Sequence, residues 1–365
     1  MISYASLKSR LGRAMSETAP RSELRLDGFD YEICSLQHVS RSFALTIPQL
    51  PLALRRAVTN AYLICRIIDT IEDEEKLSAA DKTYFLREFL DVLDGKISAR
   101  RFTREICPQL NGRTLPKEKE LVENAFLIVS DNRTFSYRQQ AAIRRCAGIM
   151  IEGMSGFQAA RDIEGLKGLK DLTELENYCY HVAGVVGEML TELFCDYSVQ
   201  IAGERKRLLE LCISFGKGLQ MTNILKDLWD DHQKGVCWIP RSLFPAGNGS
   251  MPDLLSAQSP AALSQALNVI SDRARYHLRR GLAYTLLIPR SETGIRKFCL
   301  WALGMAVFTL NNVRRNPQYK NGQDVKISRN MLRSIIWSAN AAVRSNYCLE
   351  HLFNFADRRN ANQIN

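Results

Sequence analysis

The chain has 365 residues, 46% hydrophobic and 24% charged, with 21 Gly and 11 Pro. That mixture excludes a collagen, a low-complexity scaffold and a disordered tail protein, while the length allows two or three domains or one large helical domain. A total of 49 Lys and Arg against 39 Asp and Glu leaves a formal charge of +10, which favours an anionic partner (nucleic acid, a membrane surface or a phosphorylated small molecule) without choosing among them.

The opening residues MISYASLKSRLGRAM contain no apolar h-region, so no secretory signal is expected. Their stretch 5–15 is short and basic, a faint hint of membrane-surface contact. Residues 1–34 read as an N-terminal extension, 35–356 as a single domain and 357–365 as a polar tail. Apolar residues recur every three or four positions over 52–75, 80–94, 117–131, 137–159, 171–197, 204–232, 260–288, 292–315 and 328–356, and each segment is predicted helical. Pro48 and Pro51 bracket the start of the first long helix. Gly/Pro/Asn-rich stretches at 108–116 and 244–260 predict loops. No strand run, GxGxxG or Walker A loop occurs, so the expected class is all-α, one domain of about ten helices. The longest apolar run, 298–310, suits a core helix rather than a membrane span. The ten cysteines form no CxxC pair, which excludes the usual zinc and thioredoxin spacings. Most read as small buried hydrophobes, reduced thiols are expected, and so is a cytoplasmic location.

One acidic pattern occurs twice: Asp69-Thr70-Ile71-Glu72-Asp73 and Asp227-Leu228-Trp229-Asp230-Asp231. Asp69 with Asp73, and Asp227 with Asp231, stand at i and i+4, so each pair shares one helix face roughly 5–6 Å apart. Like charges there are unfavourable in a plain helix. Mg²⁺ supplies a reason for them, because it takes oxygen ligands from one or two carboxylates and from substrate phosphates. Two such helices facing each other would grip a metal-bridged diphosphate. A solvated acidic helix end is the bland alternative. Arg66 and Lys226 are each placed either to contact phosphate or to pair with their acidic neighbours. Gln220 and Asn223 stack on the Asp227 face, where they would position metal-bound water or phosphate, or form ordinary polar surface.

Residues 177–194, NYCYHVAGVVGEMLTELF, keep a low profile at Ala183, Gly184 and Gly187. Such a helix permits close approach of a second helix or of a long ligand. Tyr178, Val182 and Val186 share a face at i, i+4, i+8. A tyrosine above an apolar wall suits carbocation chemistry, since its ring stabilises a cation and its hydroxyl relays a proton. A merely packed, hydrogen-bonded tyrosine is the alternative. His181 reads as structural.

Together these segments resemble the head-to-head trans-isoprenyl diphosphate synthases, the squalene and phytoene synthases. The likeness covers roughly residues 35–330. It is carried by His38-Val39-Ser40-Arg41-Ser42-Phe43, YLICRIIDTIED at 62–73, YCYHVAGVVG at 178–187, LQMTNILKDLWDD at 219–231 and VKISR at 325–329, with GMSGF at 153–157. The DTIED form, VKISR and MAVFTL at 305–310 look closer to squalene synthases than to phytoene or dehydrosqualene synthases. No C-terminal anchor of the eukaryotic squalene synthases follows, which implies a soluble or peripheral form at the inner membrane face. One departure stands out: the flap after the second acidic motif carries Val236, with Lys234 nearby, where the family usually has Arg.

The resemblance implies an isoprenoid-synthase-type helical bundle around a central apolar channel. It implies Mg²⁺-dependent condensation of two farnesyl diphosphates to presqualene diphosphate, then reduction by NADPH to squalene. A relative stopping at presqualene diphosphate, dehydrosqualene or phytoene is the alternative. Asp69, Glu72, Asp73, Asn223, Asp227 and Asp231 would hold metal, and Tyr178 would relay the proton. Ser40, Arg41, Phe43, Tyr62, Arg66, Val182, Gln220 and Trp238 resemble substrate-pocket positions. Lys326 and Arg329, with Asn223 and Lys226, would contact cofactor or phosphate. A nucleic-acid partner is not expected, because no recognition motif accompanies the charge.

Overall fold

Helices form wherever apolar spacing predicts them. The protein is seen here as a computed structural model that describes residues 28–112, 114–164, 168–244 and 260–358. The basic segment 5–15, most of the 244–260 loop and the tail beyond 358 lie outside the described residues. In chain order the α-helices of eight residues or more are α1 (Gly28–Val39), α2 (Leu52–Asp73), α3 (Ala79–Leu93), α4 (Ala99–Ile106), α5 (Pro116–Glu123), α6 (Ala125–Asn132) and α7 (Tyr137–Glu164). There follow α8 (Leu172–Cys179), α9 (Val185–Tyr197), α10 (Arg205–Gln233), α11 (Pro260–Leu287), α12 (Thr293–Arg315), α13 (Arg329–Ala342) and α14 (Asn346–Arg358). No strand occurs among the described residues, so the all-α expectation holds.

The bundle centres on α10, which packs along α11 and against α9 and α12. Helix α2 packs against α1, α7 and α9. Its Ile64, Ile67, Ile68 and Ile71 are wholly buried, and each such side chain contributes about 1.5–3 kcal/mol by leaving water. The first acidic motif is thus the solvent-side continuation of a rigid core helix.

Several details differ from the periodicity. Helix α1 begins at Gly28, inside the segment read as an extension, and buries Tyr31, Glu32 and Leu36. Asn60 of α2 donates to Glu32 at 2.6 Å, so these residues are part of the packed core. The run 117–131 breaks at Asn124, and 328–356 breaks into α13 and α14. Between α8 and α9 the chain makes a π-helical turn, Tyr180–Gly184. Such turns insert a residue and shift the faces on either side. Small residues explain the close packing here. A Cβ on Gly187 would lie 2.4 Å from the Cys212 carbonyl oxygen, and one on Gly216 would lie 2.1 Å from that of Ala183. Helix α10 therefore seats directly on the π turn and α9.

Helix α12 runs 23 residues with a mean hydropathy of 1.2 over its most apolar window, long and apolar enough to cross a membrane by length and composition. This exceeds the span expected from the 298–310 run. In this fold 61% of that window is buried inside the protein, as a core helix requires. All ten cysteines are free; five are buried, and Cys348 is exposed.

Candidate active site

An apolar cavity lies between α2, α9, α10, α11 and α12, with about 1080 Å³ of space between atoms, its mouth included. Val182 and Val186 form one wall, and Phe194, Tyr284 and Phe298 line it further along. Tyr62 and Cys65 contribute from α2, Gln220 and Asn223 from α10. The next helical turn beyond Cys65 carries Asp69, and the next beyond Asn223 carries Asp227. Both acidic motifs therefore stand one turn past the cavity, on two helices that flank it.

Electrostatics places the motifs within reach of one another. Burial pushes the Asp69 carboxyl up to about 7; Arg66 opposes the rise, and Asp73, Glu72 and Glu118 add to it. Burial also lifts Asp231 to about 7, with Asp227 and, across the gap, Asp73 adding to the rise while Lys234 opposes it. Asp73 is itself exposed, and Asp227 half-buried. Among the described residues, no three carboxylate, thiol or imidazole groups already converge as a finished metal site. What the structure offers is an all-oxygen set of crowded, partly desolvated carboxylates. That donor chemistry fits a hard divalent cation, which would relieve their repulsion.

The raised values have a measurable consequence. A carboxyl near 7 in the fold, against an ordinary value of 3.8, binds an extra proton between about pH 4 and 7. That contribution to stability is lost as pH rises through the window. His277, lowered to about 4 by burial, acts in the opposite sense, so the informative quantity is a difference between variants. Asp231→Asn is expected to gain thermal stability relative to the unsubstituted, metal-free protein as pH rises from 5 to 8. Melting curves across that range check it; a pH-independent difference would show that Asp231 is not desolvated.

Tyr178 packs against the core one turn before Val182, which lines the cavity, and the π turn follows it. Its ring stacks on Trp238 at 3.8 Å and 16°, and Phe157 meets it edge-on at 5.3 Å. Burial raises its hydroxyl well above the usual phenol range, and Glu72, Asp231 and Asp73 raise it further. The phenol thus stays protonated between the two acidic motifs. Phe157, from the GMSGF segment, is a site residue whose contact no spacing revealed.

The remaining residues divide. Phe43 and Tyr62 line the cavity, with rings 5.1 Å apart. Ser40 instead accepts from the Phe43 backbone N–H at 3.0 Å, outside the lining, and the Tyr62 hydroxyl donates to the Val39 carbonyl at 3.1 Å. Arg41 is exposed and also outside it. Arg66 pairs with Glu118 and acts on Asp69 through its charge. Lys226 Nζ lies 3.1 Å from Asp227 and 3.5 Å from Asn223 Oδ1. Both cations thus lie against carboxylates. Val236 donates its backbone N–H to the Asp231 carbonyl at 2.9 Å, leaving Lys234 as the nearby charge. Lys326 and Arg329 are exposed. The loop carrying Lys326 leans on the second acidic motif: the Tyr319 hydroxyl donates to the Leu225 carbonyl, and a Cβ on Gly322 would lie 3.1 Å from the Lys226 carbonyl oxygen.

Comparison with known proteins agrees with this geometry. The squalene/phytoene synthase family pattern matches residues 36–331. Squalene synthase BSS of Botryococcus braunii is 31% identical over 346 residues, covering 93% of this chain and 69% of that protein. Squalene synthase ERG9 of Gibberella zeae is 30% identical over 298 residues, 80% of this chain and 60% of its own length. The chain therefore spans roughly two thirds of the curated relatives it matches. Among solved structures, a ligand complex of TcSQS superimposes with a TM-score of 0.71 at 23% identity, covering 91% of this chain and 98% of that one. A dehydrosqualene synthase bound to a ligand gives 0.53 at 21%, covering 87% and 97%. With the fold, the paired acidic helices and these relatives in agreement, the chain belongs to the squalene/phytoene synthase family of prenyltransferases.

Proposed function

We propose that the protein is a squalene synthase, joining two farnesyl diphosphates head to head through presqualene diphosphate and reducing the product to squalene. The observation that carries this reading is the apolar cavity flanked by two carboxylate pairs, with a protonated phenol between them. Asp69, Asp73, Asp227 and Asp231 would hold Mg²⁺, with Glu72 and Asn223 close by. When bound, the metal supplies charge neutralisation for the diphosphate leaving group. The apolar walls hold the prenyl chains and exclude water, which would otherwise trap a carbocation as an alcohol. The Tyr178 hydroxyl holds a proton beside the departing diphosphate. Stacked on Trp238, its ring presents π density to positive charge.

NADPH belongs to this reading by likeness to the squalene synthases, and when bound it supplies hydride. The exposed Lys326 and Arg329, which follow the loop that leans on the second acidic motif, have the charge to meet its phosphates. Incubating the protein with farnesyl diphosphate and Mg²⁺, with and without NADPH, tests the assignment. Squalene formed only with NADPH is expected. A C30 product unchanged by NADPH would make the enzyme a presqualene diphosphate or dehydrosqualene synthase instead.

A further inference from the structure

Helices α13 and α14 carry large aromatic side chains that the fold leaves in water. Trp337 is 74% exposed, Tyr347 71% and Phe355 57%. These are not loose ends. Trp301 of α12 donates to Asn340 at 3.3 Å, and Arg296 donates to Asn346 at 2.7 Å. At the far end, Arg275 and Arg279 both pair with Asp357. The two helices are thus fastened to the core with their aromatics facing outward.

Charge along α13 and its flanking turns has one sign, with the exposed acidic residues Asp324 and Glu350 standing at its two ends. From Val325 to Leu349 there is no Asp or Glu, while Lys326, Arg329, Arg333 and Arg344 all occur. Arg333 and Trp337 are one helical turn apart and both exposed, and Arg344 lies exposed in the turn leading to Tyr347. Exposed tryptophan and tyrosine interleaved with arginine suit the boundary between lipid headgroups and acyl chains, where a ring enters apolar surroundings and its polar edge stays wet. A nucleic acid would match the charge, but the single exposed tryptophan on α13 forms no stacking series.

Location adds a second argument. Helix α13 lies on α12 so closely that a Cβ on Gly304 would sit 2.5 Å from Ile335. The same α12 lines the cavity through Phe298, Cys299 and Ala302. The aromatic, basic surface therefore covers the outside of the wall behind the prenyl site.

We propose that the outer face of α13 and α14 docks the protein on an anionic lipid bilayer. Its use rests on the proposed hydrocarbon product, which is insoluble in water and needs a lipid sink close to the cavity wall. The docking itself is measured without turnover.

The test is co-sedimentation of the full chain with vesicles of phosphatidylcholine alone or mixed with phosphatidylglycerol. The wild type is expected to bind only the mixed vesicles and to be released by salt. Trp337→Ser, and separately Arg333→Gln with Arg344→Gln, are each expected to weaken binding on the order of tenfold. Both should keep the wild-type melting temperature and turnover in detergent. Trp337→Phe should retain most binding. A comparison variant, Lys8→Gln with Arg10→Gln and Arg13→Gln, should bind like wild type. Loss of binding only in that N-terminal variant would overturn the proposal. So would a wild type that ignores vesicles but dissociates from dimer to monomer on Trp337→Ser, since a second copy would then cover the face. Anionic binding with no squalene made would leave the docking standing and remove the product assignment.

Discussion

Asp69→Asn and Asp227→Asn should each reduce kcat/KM for farnesyl diphosphate by about three orders of magnitude, since a lost charge-stabilising contact typically costs 10²–10³ and these residues hold the charged group itself. The residual activity should no longer respond to Mg²⁺. Each substitution keeps side-chain volume and removes one negative charge from a crowded set. For Asp69 the metal-free fold should become more stable, because burial is the main cause of its raised carboxyl and a neutral amide avoids that penalty. Loss of activity with a gain in melting temperature is a combination that general misfolding does not produce. A magnesium titration of turnover, with circular dichroism on the same samples, measures both. Wild-type turnover in either variant would eliminate the paired-carboxylate site.

Tyr178→Phe should lower kcat by about 10²–10³, the usual scale for a positioned proton donor. KM and the fold should change little. The ring survives, so its 3.8 Å stack on Trp238 and its edge contact with Phe157 survive as well. Only the hydroxyl is removed, at the point where Glu72, Asp73 and Asp231 all bear on it. A group held protonated by burial and by neighbouring negative charge is suited to donate a proton rather than to remove one. Single-turnover measurements with farnesyl diphosphate separate this loss from any change in binding. Unchanged turnover would assign Tyr178 to packing alone.

Much of the site was legible because its spacing is local. Two carboxylates at i and i+4 share a face in any α-helix, so the chemistry of Asp69 with Asp73 and of Asp227 with Asp231 follows from the register. The low-profile residues Gly184 and Gly187 foretold close helix contact for the same reason, and Ile213 and the Cys212 carbonyl of α10 supply it. Tyr178 was recognised as a site residue, while its ring contacts with Trp238 and Phe157 were not foreseen. Its i+4 relation to Val182 assumes 3.6 residues per turn, and the π turn at Tyr180–Gly184 breaks that assumption. Ser40 and Arg41 adjoin the cavity residue Phe43 in sequence yet stay off the wall, since neighbours along a chain rarely point the same way.

Periodicity and residue chemistry alone determined the helical class, the acidic pairs and the apolar lining of α2 and α10, because each depends on contacts within a few residues. Tertiary packing decided what lies across the gap. It set Asp73 against Asp231, placed Trp238 flat on Tyr178, and gave Arg66 to Glu118 rather than to open solvent. Those partners are separated by tens of residues or more, and no local signal specifies which distant side chain a helix face will meet. That choice comes from burying all the apolar stripes of the bundle at once.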